Sequence, residues 1–334
     1  MIRNSGIVKN RRRLLGCALA GGLASLAPWP GLAQAWPAKP LRVVVGFPAG
    51  GLTDVLARVY SEHLAQKLGQ AVVVENKPGA GSIIACEFVA KSPPDGYTFL
   101  FTISTAINQN RVTYRKLPYD PDRDFTYVSG FDAGHLPLAI NASVKAAGMR
   151  EFVELARKER VTLGTYAPGS YPHMVAQQLN KLYGTQIEAV HYKGESPMWT
   201  DLVSGQIHAA IGSYLAMSPH LQAGKIRPIA VPTSIRSPRL PEVPTFEEQG
   251  FRETVFLIQG WIGMFAPAGL APEIVRRVSD ANQEAADSPR VRQINANFGL
   301  RDKPWPAEEF ERLNRENVGP LWIALARELG VTFD

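Results

Sequence analysis

Short apolar runs alternate with stretches in which apolar residues recur every three or four positions through most of this 334-residue chain. The runs at 41–47, 71–75, 98–103, 136–140, 161–166, 207–212, 226–231 and 255–265 predict strands. The periodic stretches at 53–68, 82–91, 149–159, 172–183, 196–203, 215–223, 271–286 and 306–329 predict helices. Alternation of this kind predicts an α/β fold with parallel sheets covered by helices on both faces. Turn chemistry punctuates it at Lys77-Pro78-Gly79-Ala80-Gly81, Pro93-Pro94-Asp95-Gly96 and Ser237-Pro238-Arg239-Leu240-Pro241. No internal repeat is visible.

The first strand–turn–helix is the most informative. After the β-branched run comes Phe47-Pro48-Ala49-Gly50-Gly51, and Thr53-Asp54 then opens a helix with Val55, Leu56, Val59, Tyr60, Leu64 and Leu68 at helical spacing. Such a junction leaves backbone N–H groups unpaired at the positive end of a helix dipole, which attracts an anion. The spacing imitates a phosphate loop, with Gly46, four residues, Gly51 and then Thr53. Leu52 stands where that loop needs its lysine, so the predicted ligand is a smaller anion such as a carboxylate. A second junction of the same kind follows the run at 161–166. Ala167, Gly169, Ser170 and His173 precede a helix, with Ser170 a natural N-cap and Pro172 suited to an early helical position. The same residues also describe an ordinary helix cap.

Charge and cysteine change the picture only after the first residues are set apart. Arg11-Arg12-Arg13, an apolar run over 14–27 and Ala33-Gln34-Ala35 form a secretory leader, expected to be cleaved after Ala35 by the Sec or the twin-arginine route. Leu15-Gly16-Cys17 lies directly after the arginines without an apolar region before it, so no lipid anchor is expected. Residues 1–35 hold five Lys/Arg and no Asp/Glu, leaving 31 basic and 30 acidic residues beyond them. The pI of about 9.3 therefore belongs largely to the leader. No basic block suggests nucleic acid or a membrane surface. Cys86 is the remaining cysteine and reads as a small core residue.

Longer matches carry a resemblance. The stretches Pro40-Leu41-Arg42-Val43-Val44-Val45-Gly46-Phe47-Pro48-Ala49-Gly50-Gly51-Leu52-Thr53-Asp54 and Val73-Val74-Glu75-Asn76-Lys77-Pro78-Gly79-Ala80-Gly81 are joined by Pro94-Asp95-Gly96-Tyr97-Thr98, Leu117-Pro118-Tyr119-Asp120-Pro121, Tyr192-Lys193-Gly194, Arg236-Ser237-Pro238 and Pro244-Thr245. Together they resemble the Bug family of periplasmic solute-binding proteins, the receptors associated with tripartite tricarboxylate transport. The resemblance implies a two-lobed, Venus-flytrap binding protein of type II, with a mixed, mostly parallel sheet in each lobe. It implies lobe one over 36–137 and 256–334, lobe two over 138–255, and a buried ligand between them. Carried over by position, a ligand carboxylate is gripped by Phe47, Pro48, Ala49, Gly50, Gly51, Thr53 and Asp54 and by the matching loop Ala167, Gly169, Ser170 and His173. Ser104, Thr105 and Ala106 supply further donors, and Tyr214 stands near the ligand's far end. The implied partners are a small carboxylate and either transporter subunits or a periplasmic sensor protein. A periplasmic monomer without cofactor, metal, membrane anchor or nucleic acid is expected.

The chain departs from the family pattern after the run at 207–211. The pattern commonly has an Asp there, whereas this chain has Gly212-Ser213-Tyr214, and His208 replaces another common acid. With no acid to hold an ammonium group, an uncharged far end follows, walled by aromatics such as Phe47, Tyr171, Tyr214 and Trp261. On this reading an aromatic or aliphatic acid binds better than an amino acid of similar size. Small diacids, aromatic acids, nicotinate-like rings and amino acids all fit the carboxylate grip itself. The rival class is an exported hydrolase. No G-x-S-x-G elbow and no S-x-x-K pair occurs, and Ser170 with His173 lacks an evident orienting acid. Histidines 63, 135, 173, 191, 208 and 220 show no metal-binding spacing. His173 reads either as a donor near the ligand or as a structural link to its loop.

Overall fold

The computed structural model describes residues 36–328, 330, 332 and 333. The expected leader and its cleavage point after Ala35 lie outside the described residues. Within residues 39–334, a single unit, the strands are β1 (Leu41–Val45), β2 (Val72–Asn76), β3 (Thr98–Ile103), β4 (Phe125–Asp132), β5 (Leu138–Asn141), β6 (Val161–Thr165), β7 (Ile187–His191), β8 (Ala209–Ile211), β9 (Ile226–Ala230), β10 (Trp261–Pro267) and β11 (Trp305–Pro306). They form two sheets, ordered β11-β4-β10-β3-β1-β2 and β7-β6-β8-β5-β9.

Direction within the sheets explains the architecture. β1, β2, β3 and β4 run one way, while β10 lies reversed between β3 and β4. In the second sheet β6, β7, β8 and β9 run one way and β5 alone is reversed, between β8 and β9. β5 is the first strand after the chain leaves β4, and β10 is the first strand after it leaves the second sheet. A chain that exits one sheet at its carboxyl edge and enters the facing sheet at the opposite carboxyl edge must run against its new neighbours. The reversed strand in the interior of each sheet is the mark of those crossings; the two-residue β11, also antiparallel to β4, only extends the first sheet's edge. Carboxyl edges are also where α/β sheets bind ligands.

Three differences from the sequence reading have local causes. The run at 255–265 divides into a short helix, Thr254–Leu257, and β10, because the chain turns at the crossing. β4 escapes the apolar-run criterion, being Phe-Thr-Tyr-Val-Ser-Gly-Phe-Asp with Gly130 inside it. Gly130 pairs in register with Gly263, and the Phe310 ring lies over both; a Cβ would stand 2.3 Å from it at Gly130 and 2.7 Å at Gly263. The helix Pro289–Phe298 buries only Val291 and Asn295, too little for a periodic signal.

Each sheet has its own core. Leu100, Tyr127, Phe265 and Phe310 pack on the first. Phe152, Leu163, Val175 and Phe246 pack on the second, and Trp199 and Leu202 on its other face. The last helix, Gly319–Glu328, follows the first sheet's segments in the chain but places Trp322, Leu325 and Ala326 in the second sheet's core. Cys86 is a free, buried member of the first core, and burial pushes its thiol up to about 12. Among the described residues no helix is long and apolar enough to cross a membrane.

Candidate functional site

The loop after β1 is held from beneath by a clamp of polar side chains. Asp54, in the first turn of the helix Leu52–Leu68, accepts from the Gly50 N–H at 3.0 Å, from Arg58 Nε at 3.0 Å and from Asn76 Nδ2 at 2.8 Å. Asn76 Nδ2 also donates to the Phe47 carbonyl at 2.9 Å. Burial pushes the Asp54 carboxyl up, but its bonds to Arg58, Asn76 and Gly50 more than offset this and hold it below the usual carboxylate range. With its oxygens taken by these partners, Asp54 shapes the loop. Gly50 has φ +88°, a left-handed conformation that favours glycine, whereas Gly51 is extended. Ala49 and Gly50 are exposed, and neither lines the cavity described next.

Above the clamp lies a cavity at the carboxyl edges of both sheets. Phe47, Pro48, Gly51, Leu52 and Thr53 come from the first loop, and Ile103, Ser104, Trp261 and Ile262 from the ends of β3 and β10. Ala133, Leu136 and Gly260 belong to the two crossings, and Tyr166 and Glu195 to the second sheet's side. The backbone N–H groups of Thr53 and Asp54 have no hydrogen-bond partner among the described residues, as the first turn of a helix requires. The hydroxyls of Thr53 and Ser104 also lack a partner among the described residues, so donors gather on the first sheet's side. Trp261 is fixed by its indole N–H, which donates to Asn314 Oδ1 at 3.0 Å, while Asn314 Nδ2 donates to the Tyr127 hydroxyl at 2.8 Å. Thr105 and Ala106 are buried beside Ser104 but outside the cavity lining.

The second junction packs differently. The Ser170 hydroxyl donates to the Ala167 carbonyl at 2.6 Å, and His173 Nδ1 accepts the Gly169 N–H at 3.0 Å. Ser170 and His173 share no hydrogen bond, so they form no nucleophile–base pair. A Cβ at Gly169 would stand 2.5 Å from Thr113 Oγ1, so this loop abuts the segment after β3. Gly169, Ser170 and His173 therefore lie outside the cavity lining. Ala167 joins Phe47 and Tyr166 in an apolar contact that divides the cleft. Beyond that contact a second hollow is lined by the 79–82 loop, Pro168, His191, Tyr192 and Lys193. Ala80 (φ +46°) and Ser82 (φ +75°) are left-handed there without being glycine, a local strain. Burial, then the neighbouring His191, lowers His173 to about 4. Tyr171 is buried in the second core against Trp322, and Tyr214 packs toward Phe298, so neither lines the cavity.

Glu195 is the charged residue of the cavity lining that sequence reasoning missed. It opens the helix Glu195–Ser204, where an acid in the first turn reads as ordinary helix-start chemistry. Its Oε1 accepts the Ser213 N–H at 2.6 Å, and Oε2 accepts the Ser213 hydroxyl at 2.7 Å and the Leu52 N–H at 3.3 Å. The Ser196 hydroxyl beside it donates to the Ala49 carbonyl at 3.0 Å. These two bonds tie the second sheet's side to the first loop. Burial raises the Glu195 carboxyl, and the Ser213 and Leu52 bonds only partly pull it back. The expectation of an uncharged far end assumed no acid at the site; Glu195 is such an acid, so that assumption is corrected. Tyr166, Ile103 and Asn76 were missed as well. Among the described residues no group of three or more His, Cys, Asp or Glu side chains is placed to hold a metal ion.

Comparison with known proteins agrees with this architecture. The family model described as "Tripartite tricarboxylate transporter family receptor" matches residues 56–330. The chain is 32% identical over 312 residues to Protein BugT of Bordetella pertussis, covering 90% of this chain and 92% of that protein. Among solved structures, the periplasmic binding protein BugD superposes with a TM-score of 0.82 at 26% identity, covering 89% of this chain and all of that one. R. palustris Rpa4515, solved with adipate, gives 0.81 at 31% identity, covering 88% and 97%. The family and these neighbours are solute-binding proteins rather than enzymes.

Proposed function

Because the chain belongs to the tripartite tricarboxylate transporter receptor family, the Bug-type solute-binding proteins, we propose that it is an exported, periplasmic receptor that captures a small carboxylate and delivers it to a membrane transporter of the tripartite tricarboxylate type. The ligand lies between lobe one, 36–137 and 256–334, and lobe two, 138–255, and the receptor acts as a monomer. The observation that carries the reading is the set of unpartnered donors at the cavity: the Thr53 N–H at the start of a 17-residue helix and the hydroxyls of Thr53 and Ser104. Adipate in a 31% identical neighbour is in keeping with it.

Thermal-shift measurement with a panel of carboxylic acids and their neutral amides tests this. A ligand that binds only the folded state adds about 2.7 kcal/mol at a hundredfold excess over its Kd. Acids are expected to raise the melting temperature and amides to leave it unchanged. Gly51→Val sets a branched side chain against Glu195, whose Oε2 a Cβ would meet at 3.6 Å. It is expected to abolish the shift in a folded protein. Equal shifts from acids and amides would refute the carboxylate grip.

A further inference from the structure

Glu195 is the one acid among the residues lining the cavity, and none of those residues is Lys, Arg or His. Its carboxylate is held in place rather than left to swing: Ser213 contributes both its N–H and its hydroxyl, and Leu52 its N–H. Gly212 makes the seat possible, since a Cβ there would stand 3.0 Å from Oε1. Three donors engage a group that accepts about four hydrogen bonds, which leaves acceptor capacity for a ligand. No cation acts on it among the described residues; its surroundings are burial and those three bonds. An acid beside Phe47, Leu136 and Trp261 without a counter-charge is costly in its ionised form. A ligand ammonium supplies the missing partner. A second ligand carboxylate would instead meet like charge.

We propose that Glu195 is a specificity-determining residue that makes this receptor select a small carboxylate also carrying an ammonium group over a plain monoacid or a diacid. The inference rests on the carboxylate-capture reading above and names the ligand class for that site. It reverses the expectation drawn from Gly212-Ser213-Tyr214: Ser213 is what positions the acid.

Matched probes of equal chain length test it by calorimetry. One set is butanoate, succinate, 2-aminobutanoate and 4-aminobutanoate; the other is hexanoate, adipate, 2-aminohexanoate and 6-aminohexanoate. An amino member is expected to bind the wild-type protein roughly tenfold or more tighter than its plain and diacid counterparts. Glu195→Gln is expected to erase that preference while still binding the plain acid. Should that variant melt below the assay temperature, Glu195→Met, uncharged and of similar length, replaces it. Plain acids or diacids binding wild type as tightly as the amino acids would overturn the proposal. So would a preference that survives the loss of the charge. If no member of either set binds wild type, the carboxylate-receptor reading falls together with the proposal, a different result from binding without preference.

Discussion

His173 occupies a position that reads equally well as ligand donor or loop link, and its hydrogen bond favours the link. With Nδ1 accepting from Gly169, the ring is held neutral, and its other nitrogen lies 3.5 Å from Gln177 Nε2. A histidine lowered to about 4 by burial and by its neighbour His191 has a definite pH consequence. Above about pH 6.5 the ring is neutral whether folded or unfolded, and its contribution to stability is complete. Below that pH the unfolded chain takes up the proton and the folded one does not, so stability falls until about pH 4. The loss is of order 3 kcal/mol across that window. Urea unfolding at pH 7 and pH 4.5 measures it, and His173→Asn is expected to flatten the difference. An equally steep loss in the variant would assign the pH dependence to another group.

At the scale of elements, the pairing of β4 with β10 depends on two facing glycines. Gly130 and Gly263 leave a trough that the Phe310 ring fills, and Phe310 stacks edge-on with Trp261 at 4.8 Å. Trp261 in turn lines the cavity, so this packing reaches the site. Gly130→Val drives a side chain into the ring and is expected to cost roughly 1–3 kcal/mol by overpacking. Chemical denaturation checks it; Phe310→Ala in the same chain is expected to recover part of the loss by vacating the space. A double variant no better than Gly130→Val would show that the backbone rather than the ring demands glycine there.

At the scale of the molecule, the chain crosses between sheets three times within the described residues. β5 and β10 make the first two crossings, and the segment before Gly319–Glu328 makes the third, carrying Trp322 into the second sheet's core. Lys181 on the second sheet's side meets Glu328 at 2.9 Å. Such interleaving predicts joint unfolding rather than separate loss of two halves. Trp322→Ala is expected to cost about 3–5 kcal/mol and to shift circular dichroism and tryptophan fluorescence transitions together. Two separated transitions would mean that the last helix does not couple the sheets.

What the sequence determined by itself is local: the alternation of strands and helices, the two strand–turn–helix junctions, and the family to which their residues point. These are legible because side chains repeat every two residues in a strand and every 3.6 in a helix, and because turns and helix starts demand particular neighbours. The tertiary structure decided which residues meet. Glu195 reaches the Leu52 N–H across 143 positions, and Tyr166 reaches Phe47 across the cleft. Gly130 came to face Gly263, and Ser170 and His173 turned into their own loop. No periodicity records such meetings, since they are set by where the crossings place each sheet's carboxyl edge. The donors on the first loop could therefore be read from the chain, and the acid that faces them from the second sheet could not.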